Sequence, residues 1–204
     1  MSLKDAKVNF LVDMATDLFM TRSISEVTIK DIAVAAQVGE ATIYRYFGSK
    51  QNIVVQSAMK IQGIVSTEFF KLEKGKTGFD KLKVFYESYY EIFIKHPNFY
   101  KFLNEFDAFV SVEDSSIINP YESAIDAYKN FYMDAYQLGL KDGTVKKQDD
   151  IEMFYFSTTH ALLELAKKLA FKRAVLKQDN RIEKNSELQC LIDIILGSLN
   201  NLWV

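Results

Sequence analysis

Apolar residues return every three or four positions along almost the whole chain, and little in the sequence could break the helices this spacing describes. Only eight glycines and two prolines are spread over 204 residues, while 16 Phe, 11 Tyr and one Trp supply bulky side chains for inward helix faces. A chain of this length buries a core without disulfides or metal. Its single cysteine, Cys190, lies among Leu188, Leu191 and Ile192 and reads as a small buried hydrophobe, so no disulfide framework is possible and a reducing compartment suits it. Met1–Ala15 mixes Lys4, Asp5, Lys7 and Asp13 into its apolar residues, unlike a signal peptide, and no apolar run approaches the ~18 residues of a membrane span. The expectation is a soluble, cytoplasmic, all-α protein.

The periodicity predicts about nine helices. Val8, Leu11, Val12, Ala15, Leu18 and Phe19 share one face of helix 1, about Lys4 to Thr21. Thr28-x-x-Asp31 has the form of a capping box and opens helix 2, Ile29 to about Ala36. Gln37-Val38-Gly39 breaks the pattern, and Glu40–Phe47 resumes it as helix 3. Gly48-Ser49 stops that helix and caps helix 4, about Lys50 to Leu72, with Val54, Ala58, Ile61, Val65, Phe69 and Leu72 inward. Lys71–Gly78 is charged, holds two glycines and reads as a linker. Helix 5 (about Phe79–Lys95) ends at His96-Pro97, and helix 6 (about Asn98–Val110) at a polar break, Ser111–Ser116. Helix 7 follows Asn119, with Pro120 in its first turn, and stops at Gly139–Gly143. Helices 8 (about Asp149–Val175) and 9 (about Ser186–Trp203) complete the chain. The domain boundary falls near helix 4: residues 1–50 form an N-terminal three-helix domain, helix 4 connects, and 51–204 form a C-terminal helical domain.

Residues 29–43 read Ile29-x-x-x-Ala33-x-x-x-Gln37-Val38-Gly39-x-x-Thr42-Ile43, the spacing of a helix-turn-helix. Two short helices that cross closely need a small residue at Ala33, and Ile29, Ile32, Val38 and Ile43 close a miniature core beneath them. The second helix then stands out from the body with Gly39, Glu40, Ala41, Thr42, Tyr44 and Arg45 exposed, able to enter a major groove ~12 Å wide. The stretch Thr28–Lys50, TIKDIAVAAQVGEATIYRYFGSK, resembles the DNA-binding domain of TetR-family regulators, and Ala15-x-x-Leu18-Phe19 fits that family's first helix. The motif match covers about residues 8–55; the rest agrees only in length and helix count. Two positions depart from the pattern. Gln37 stands where the turn usually has Gly, at a cost of ~1 kcal/mol or a shifted turn, and Gly39 replaces the usual Ser cap of the recognition helix.

The resemblance implies that Thr28, Thr42, Tyr46 and Lys50 touch phosphates, while Gly39, Glu40, Ala41, Tyr44 and Arg45 lie near base edges; Lys30 joins this DNA-binding set. Physics agrees for Lys50, a cation beside a helix N-terminus that also attracts anions. Glu40 either favours its own helix N-terminus or accepts from cytosine N4. Tyr44 and Tyr46 read equally as packing aromatics. Net charge is −2, but Met1–Lys60 carries seven basic and six acidic side chains, so any DNA contact is local rather than a bulk charge effect.

An enzyme needs converging acid, base or nucleophile groups, and only His96 and His160 are present. His96 precedes Pro97 at a helix end. His160 lies one turn before Glu164 and reads as an interior histidine or a polar group in a ligand pocket; the two residues are too few for a metal site. Gly-Lys-Thr-Gly at 75–78 lacks the Walker spacing. No catalysis, metal or cofactor is expected. Phe85, Tyr89, Phe93, Phe102, Phe106, Tyr128, Tyr132 and Phe154, with Ser157, His160 and Glu164 as polar groups, form the candidate pocket for a small apolar or aromatic effector.

Helix 8 has two apolar stripes and helix 9 is apolar nearly all round, so each needs two covers. Tyr155, Leu162, Leu165, Leu169, Leu188, Ile192, Ile195, Leu199 and Trp203 are expected to meet a second copy in a four-helix bundle. The reading is a ligand-responsive repressor that binds a palindromic operator as a homodimer. The rival is a helical carrier of apolar ligands, or a scaffold, with no use for DNA; the intact Thr42–Lys50 surface argues against it.

Overall fold

A computed structural model describes residues 2–69, 77–109, 115–171 and 183–201. Among them lie nine α-helices: α1 (Leu3–Thr21), α2 (Ile29–Ala35), α3 (Glu40–Phe47), α4 (Lys50–Phe69), α5 (Gly78–Lys95), α6 (Pro97–Phe109), α7 (Ser115–Asp142), α8 (Ile151–Ala170) and α9 (Lys184–Leu199). The only β pairing among the described residues is an isolated bridge between Val145 and Asn200. None of these helices is long and apolar enough to cross a membrane.

The chain divides into two compact units. One comprises residues 1–64 and 101–124, the other 65–100 and 125–204. Helices α4, α6 and α7 therefore each have residues in both. The first unit contains α1 to α3 and the start of α4, together with Lys101–Phe109 of α6 and the start of α7. Its core holds Leu11, Ala15, Phe19, Ile24, Val27, Ile32, Ile43, Ile53 and Val54. Phe102 stacks on Phe106, with centroids 5.9 Å apart, and Phe106 meets Tyr121 of α7 at 5.0 Å.

The second unit packs α5 against α8 and α9. Two glycines permit a contact that the sequence reading missed. A Cβ on Gly78 would fall 2.0 Å from the backbone nitrogen of Gly139, and one on Gly139 would fall 2.2 Å from a Val145 methyl. Gly139 thus serves close packing, and α7 ends at Asp142, within the Gly139–Gly143 stretch expected to stop it, with Gly143 (φ 77°) turning the chain. At the other end α7 begins at Ser115 rather than after Asn119. Pro120 lies just beyond the four N–H groups that have no helical partner in any case, so its missing donor forfeits one bond near the end without stopping the helix. Thr77 and Gly78, expected in a linker, are the N-cap and first residue of α5; Lys71–Lys76, Leu72 included, lie outside the described residues.

Asp142 ties these elements together. Its carboxylate accepts from the Gly78 N–H at 2.8 Å, the Thr144 N–H at 3.0 Å and the Thr144 hydroxyl at 2.5 Å. Desolvation pushes its pKa up, but the hydrogen bonds outweigh it and hold the carboxyl below its ordinary 3.8. The segment after Gly143 is pinned to the end of α9, where Lys146 N–H donates to Leu199 O and Asn201 N–H to Thr144 O.

Candidate nucleic-acid interface

The helix-turn-helix is assembled by local backbone devices. Thr28 caps α2: its hydroxyl oxygen accepts the Asp31 N–H at 3.1 Å, while Asp31 Oδ2 accepts the Thr28 N–H at 2.8 Å. The Thr28 hydroxyl hydrogen also goes to Asp31, at 2.7 Å. Its one proton is therefore committed, and a phosphate contact from this side chain requires the box to open. These two hydrogen bonds from Thr28, with Arg22 nearby, hold the Asp31 carboxyl below its usual range.

The turn after α2 closes as a Schellman motif, with Gln37 N–H on Val34 O and Val38 N–H on Ala33 O. Gln37 occupies the left-handed position at φ 54°, the only non-glycine residue with positive φ among those described. The turn is therefore not shifted to suit the side chain; the side chain accepts the strain. Ile29, Ile32, Ala33 and Ile43 are buried beneath it and Val38 half-buried, the small core that the spacing called for.

Gly39 caps α3 with extended backbone and no side-chain hydrogen bond. Buried Ile43 and Phe47 anchor this helix, and its other face is open. Glu40, Ala41, Tyr44 and Arg45 are exposed along with Gly39, whereas Thr42 and Tyr46 are half-buried. Tyr44, at 52 % exposure, is not a packing aromatic within the chain. Arg45 lies over the Tyr46 ring, 5.2 Å from its centroid. Gly48 (φ 73°) ends the helix, and Asn52 donates its side-chain N–H to the Phe47 carbonyl at 2.7 Å. Ser49 then caps α4 by accepting the Asn52 N–H.

Lys30 is exposed on α2 and Lys50 half-buried at the start of α4. Partial burial lowers the Lys50 pKa, with Asp31 opposing. Sequence reasoning missed Arg22, which meets Asp31 at 3.5 Å and donates to the Glu26 carbonyl, fixing a second cation beside the capping box. The acidic residue three positions after the cap was the available signal, since such a carboxylate can serve a neighbouring cation as well as its own helix.

Residues 11–56 match the family described as "Bacterial regulatory proteins, tetR family". The chain is 25% identical over 157 residues, 74% of each chain, to the HTH-type transcriptional repressor KstR2 of Rhodococcus jostii (strain RHA1). Residues 11–56 are thus similar to the DNA-binding segment of TetR-family regulators. The fold of the chain agrees with solved TetR-type structures. The transcriptional regulator FadR of Bacillus subtilis, solved with stearoyl-CoA, superposes with a TM-score of 0.70 at 15% identity, over 94% of this chain and 98% of that one. The ketosteroid transcriptional regulator KstR2 of Mycobacterium tuberculosis gives 0.57 at 14% identity, over 98% and 95%.

The C-terminal residues correct several expectations. Phe85, Phe93 and Tyr132 are buried in the second unit, Tyr89, Tyr128 and Phe154 half-buried. Phe85 meets Tyr86, Tyr89, Phe131, Tyr132 and Tyr155 within 6.3 Å. Phe102 and Phe106 belong to the first unit instead. Ser157, His160 and Glu164 are exposed, because they follow the outer stripe of α8. The polar groups inside are others: Tyr86 Oη lies 3.1 Å from Tyr132 Oη and 2.8 Å from Thr158 Oγ1, and burial pushes the Tyr86 pKa up to about 12.

Tyr155, Leu162, Leu169, Leu188, Ile192, Ile195 and Leu199, expected to face a second copy, are buried within the chain itself, and Leu165 is half-buried. Of the two apolar stripes on α8 the more apolar one went to the chain's own core, where it removes more surface from water. Trp203 lies outside the described residues. Cys190, expected to be buried, is exposed. Among the described residues no group of three His, Cys, Asp or Glu side chains could hold a metal ion.

Proposed function

We propose that this regulator is a homodimeric repressor that grips a palindromic operator with α3 and releases it on binding a largely apolar effector. The observation that carries the reading is the geometry of α3: a helix fixed by Ile43 and Phe47 on one side presents Glu40, Ala41, Tyr44 and Arg45 on the other. That is the arrangement a recognition helix requires. Lys30, Thr42, Tyr46 and Lys50 serve the phosphates, with Thr28 holding the start of α2. Residues 1–50 carry the groups that read DNA, and 51–204 support them and bind effector and partner. The work is done in the cytoplasm, without catalysis.

Dimerisation is assigned to the outer stripes of α8 and α9. Met153 (64 % exposed), Phe156 (42 %), His160 and Ala161 line one, and Cys190, Ile194 (64 %) and Gly197 the other. Two such stripes, doubled by a twofold axis, make a four-helix bundle. The effector class follows from the aromatic cluster around Phe85, with the Tyr86, Tyr132 and Thr158 hydroxyls fixing orientation. The names of similar structures point the same way: a ketosteroid transcriptional regulator, a fatty acid degradation regulator of Bacillus halodurans, and a transcriptional regulator solved with stearoyl-CoA.

Selection from a random DNA pool tests the reading. It should yield a twofold-symmetric site with half-sites about one helical turn, ~34 Å, or somewhat more apart, and Lys50→Ala should lower the salt slope of binding by about one unit. Recovery of no sequence would remove the operator. Stearoyl-CoA, tested first for its long apolar acyl chain, should raise the melting temperature and weaken operator binding; stabilisation without weakening would remove the coupling.

A further inference from the structure

Phe109, the last residue of α6, has no place in the DNA-binding set drawn from the sequence. The Lys50 ammonium nevertheless lies over its ring, 5.3 Å from the centroid. Both side chains are half-buried, and both belong to the same compact unit, in which residues 101–124 gather with the DNA-reading helices. A second contact fixes this part of α6 there: Glu105, one turn earlier, accepts the backbone N–H of Ile24 at 2.5 Å. Ile24 is buried in the connection between α1 and α2, so the carboxylate satisfies a donor that water does not reach freely. The end of α6 thus meets the DNA-reading helices at two points, one of which is the cation at the head of α4.

A lysine side chain has four rotatable bonds, and an ammonium that must meet a phosphate loses that freedom on binding. A ring face attracts the cation without consuming any of its three N–H donors, so the charge is held in place while its hydrogen bonds stay available. Asp31 lies close enough to favour the charged form of Lys50 but takes its hydrogen bonds from Thr28 instead. We propose that Phe109 is a positioning residue for DNA binding, holding the Lys50 ammonium ready for a backbone phosphate before the duplex arrives. This rests on the phosphate role given to Lys50 above and adds a determinant of affinity outside the helix-turn-helix.

The test is a double-mutant cycle on the full-length protein, with a short duplex of mixed sequence as probe, because phosphate contacts do not depend on base identity. Affinity is measured by fluorescence anisotropy across a salt titration. Phe109→Leu keeps the residue apolar and of similar size but removes the ring; it should weaken binding about two- to fivefold at low salt and leave the salt slope unchanged, since Lys50 still displaces a counterion. Phe109→Tyr restores the ring and should return affinity to within twofold. In a Lys50→Ala background Phe109→Leu should have no further effect, whereas a merely structural role would persist there. Unchanged or tighter binding by Phe109→Leu, or an equal loss with and without Lys50, overturns the proposal. If Lys50→Ala alone leaves affinity and slope at wild-type values, the phosphate assignment itself fails, a result read without touching Phe109.

Discussion

In the DNA-reading unit, local devices within a few residues of one another set nearly every boundary: the Thr28–Asp31 box, the Schellman turn at Gln37, the Gly48 stop and the Ser49 cap. In the second unit the helices are as regular, but what decides which face is covered comes from far away in sequence. Gly78 meets Gly139, Asp142 bonds to the start of α5, and the end of α9 pairs with the segment after α7. A function that reads a fixed object, the DNA groove, is served by short-range geometry. On the reading proposed above, a function that accommodates a ligand is served by a core whose shape long-range packing sets.

The comparison breaks most sharply at the buried stripe of α8. Leu162→Ala should cost about 2–5 kcal/mol in urea unfolding, since Leu162 is wholly buried within the chain and its removal leaves a cavity. Ile194→Glu, on the exposed stripe of α9, should leave the fold intact and yield a monomeric mass in light scattering. A stable Leu162→Ala monomer would return that residue to the dimer face. Gly78→Ala comes next: with backbone atoms at 2.0 and 2.3 Å from the new Cβ, α5 must move off α7, at about 1–3 kcal/mol. Gly39→Ala, with nothing within 4 Å of its Cβ, meets no clash and loses only a tolerable cap. Equal effects at the two glycines would erase the distinction between long-range and local control.

A smaller effect separates the units by pH. The Asp142 carboxyl has a folded pKa below its ordinary 3.8, so the stability it contributes is present above the unfolded value and is lost as pH falls through the folded one. Asp142→Asn should therefore lower the melting temperature at neutral pH and narrow its gap to wild type below pH 4. A gap constant across that range would mean the ionised form is not what Gly78 and Thr144 hold.

The same contrast governs how much was legible in advance. Capping and turn residues act on their own backbone, so α1 to α4 and the exposed face of α3 follow from spacing alone. Periodicity on α8 offered two apolar stripes and could not say which one met α5 and α9; the inward choice went to Tyr155, Leu162 and Leu169, and His160 came out on the surface. The Gly139–Gly143 stop was legible, since α7 ends at Asp142, but that Gly139 also admits Gly78 could not be read without the neighbour. The place of Phe102 and Phe106 in the first unit likewise depends on how α6 is shared between units, which no local signal carries.

The smallest effect lies at Gln37, and it tests whether local geometry alone sets the reading head. Its φ of 54° places a side chain where glycine is unstrained. Left-handed backbone costs an ordinary residue about 1–2 kcal/mol, and Gln37→Gly would remove that strain. Glycine gives back about 0.5–1 kcal/mol through its greater freedom in the unfolded chain. The net expectation is a gain of about 0–1.5 kcal/mol, read as a slightly higher urea midpoint with unchanged slope. Because the Schellman bonds from Gln37 and Val38 use only backbone atoms, the angle between α2 and α3 should persist and DNA affinity should stay within twofold. If affinity instead changed severalfold while stability rose, the strained residue would be holding α3 in a particular pose, and the turn would be part of the reading surface rather than only its support.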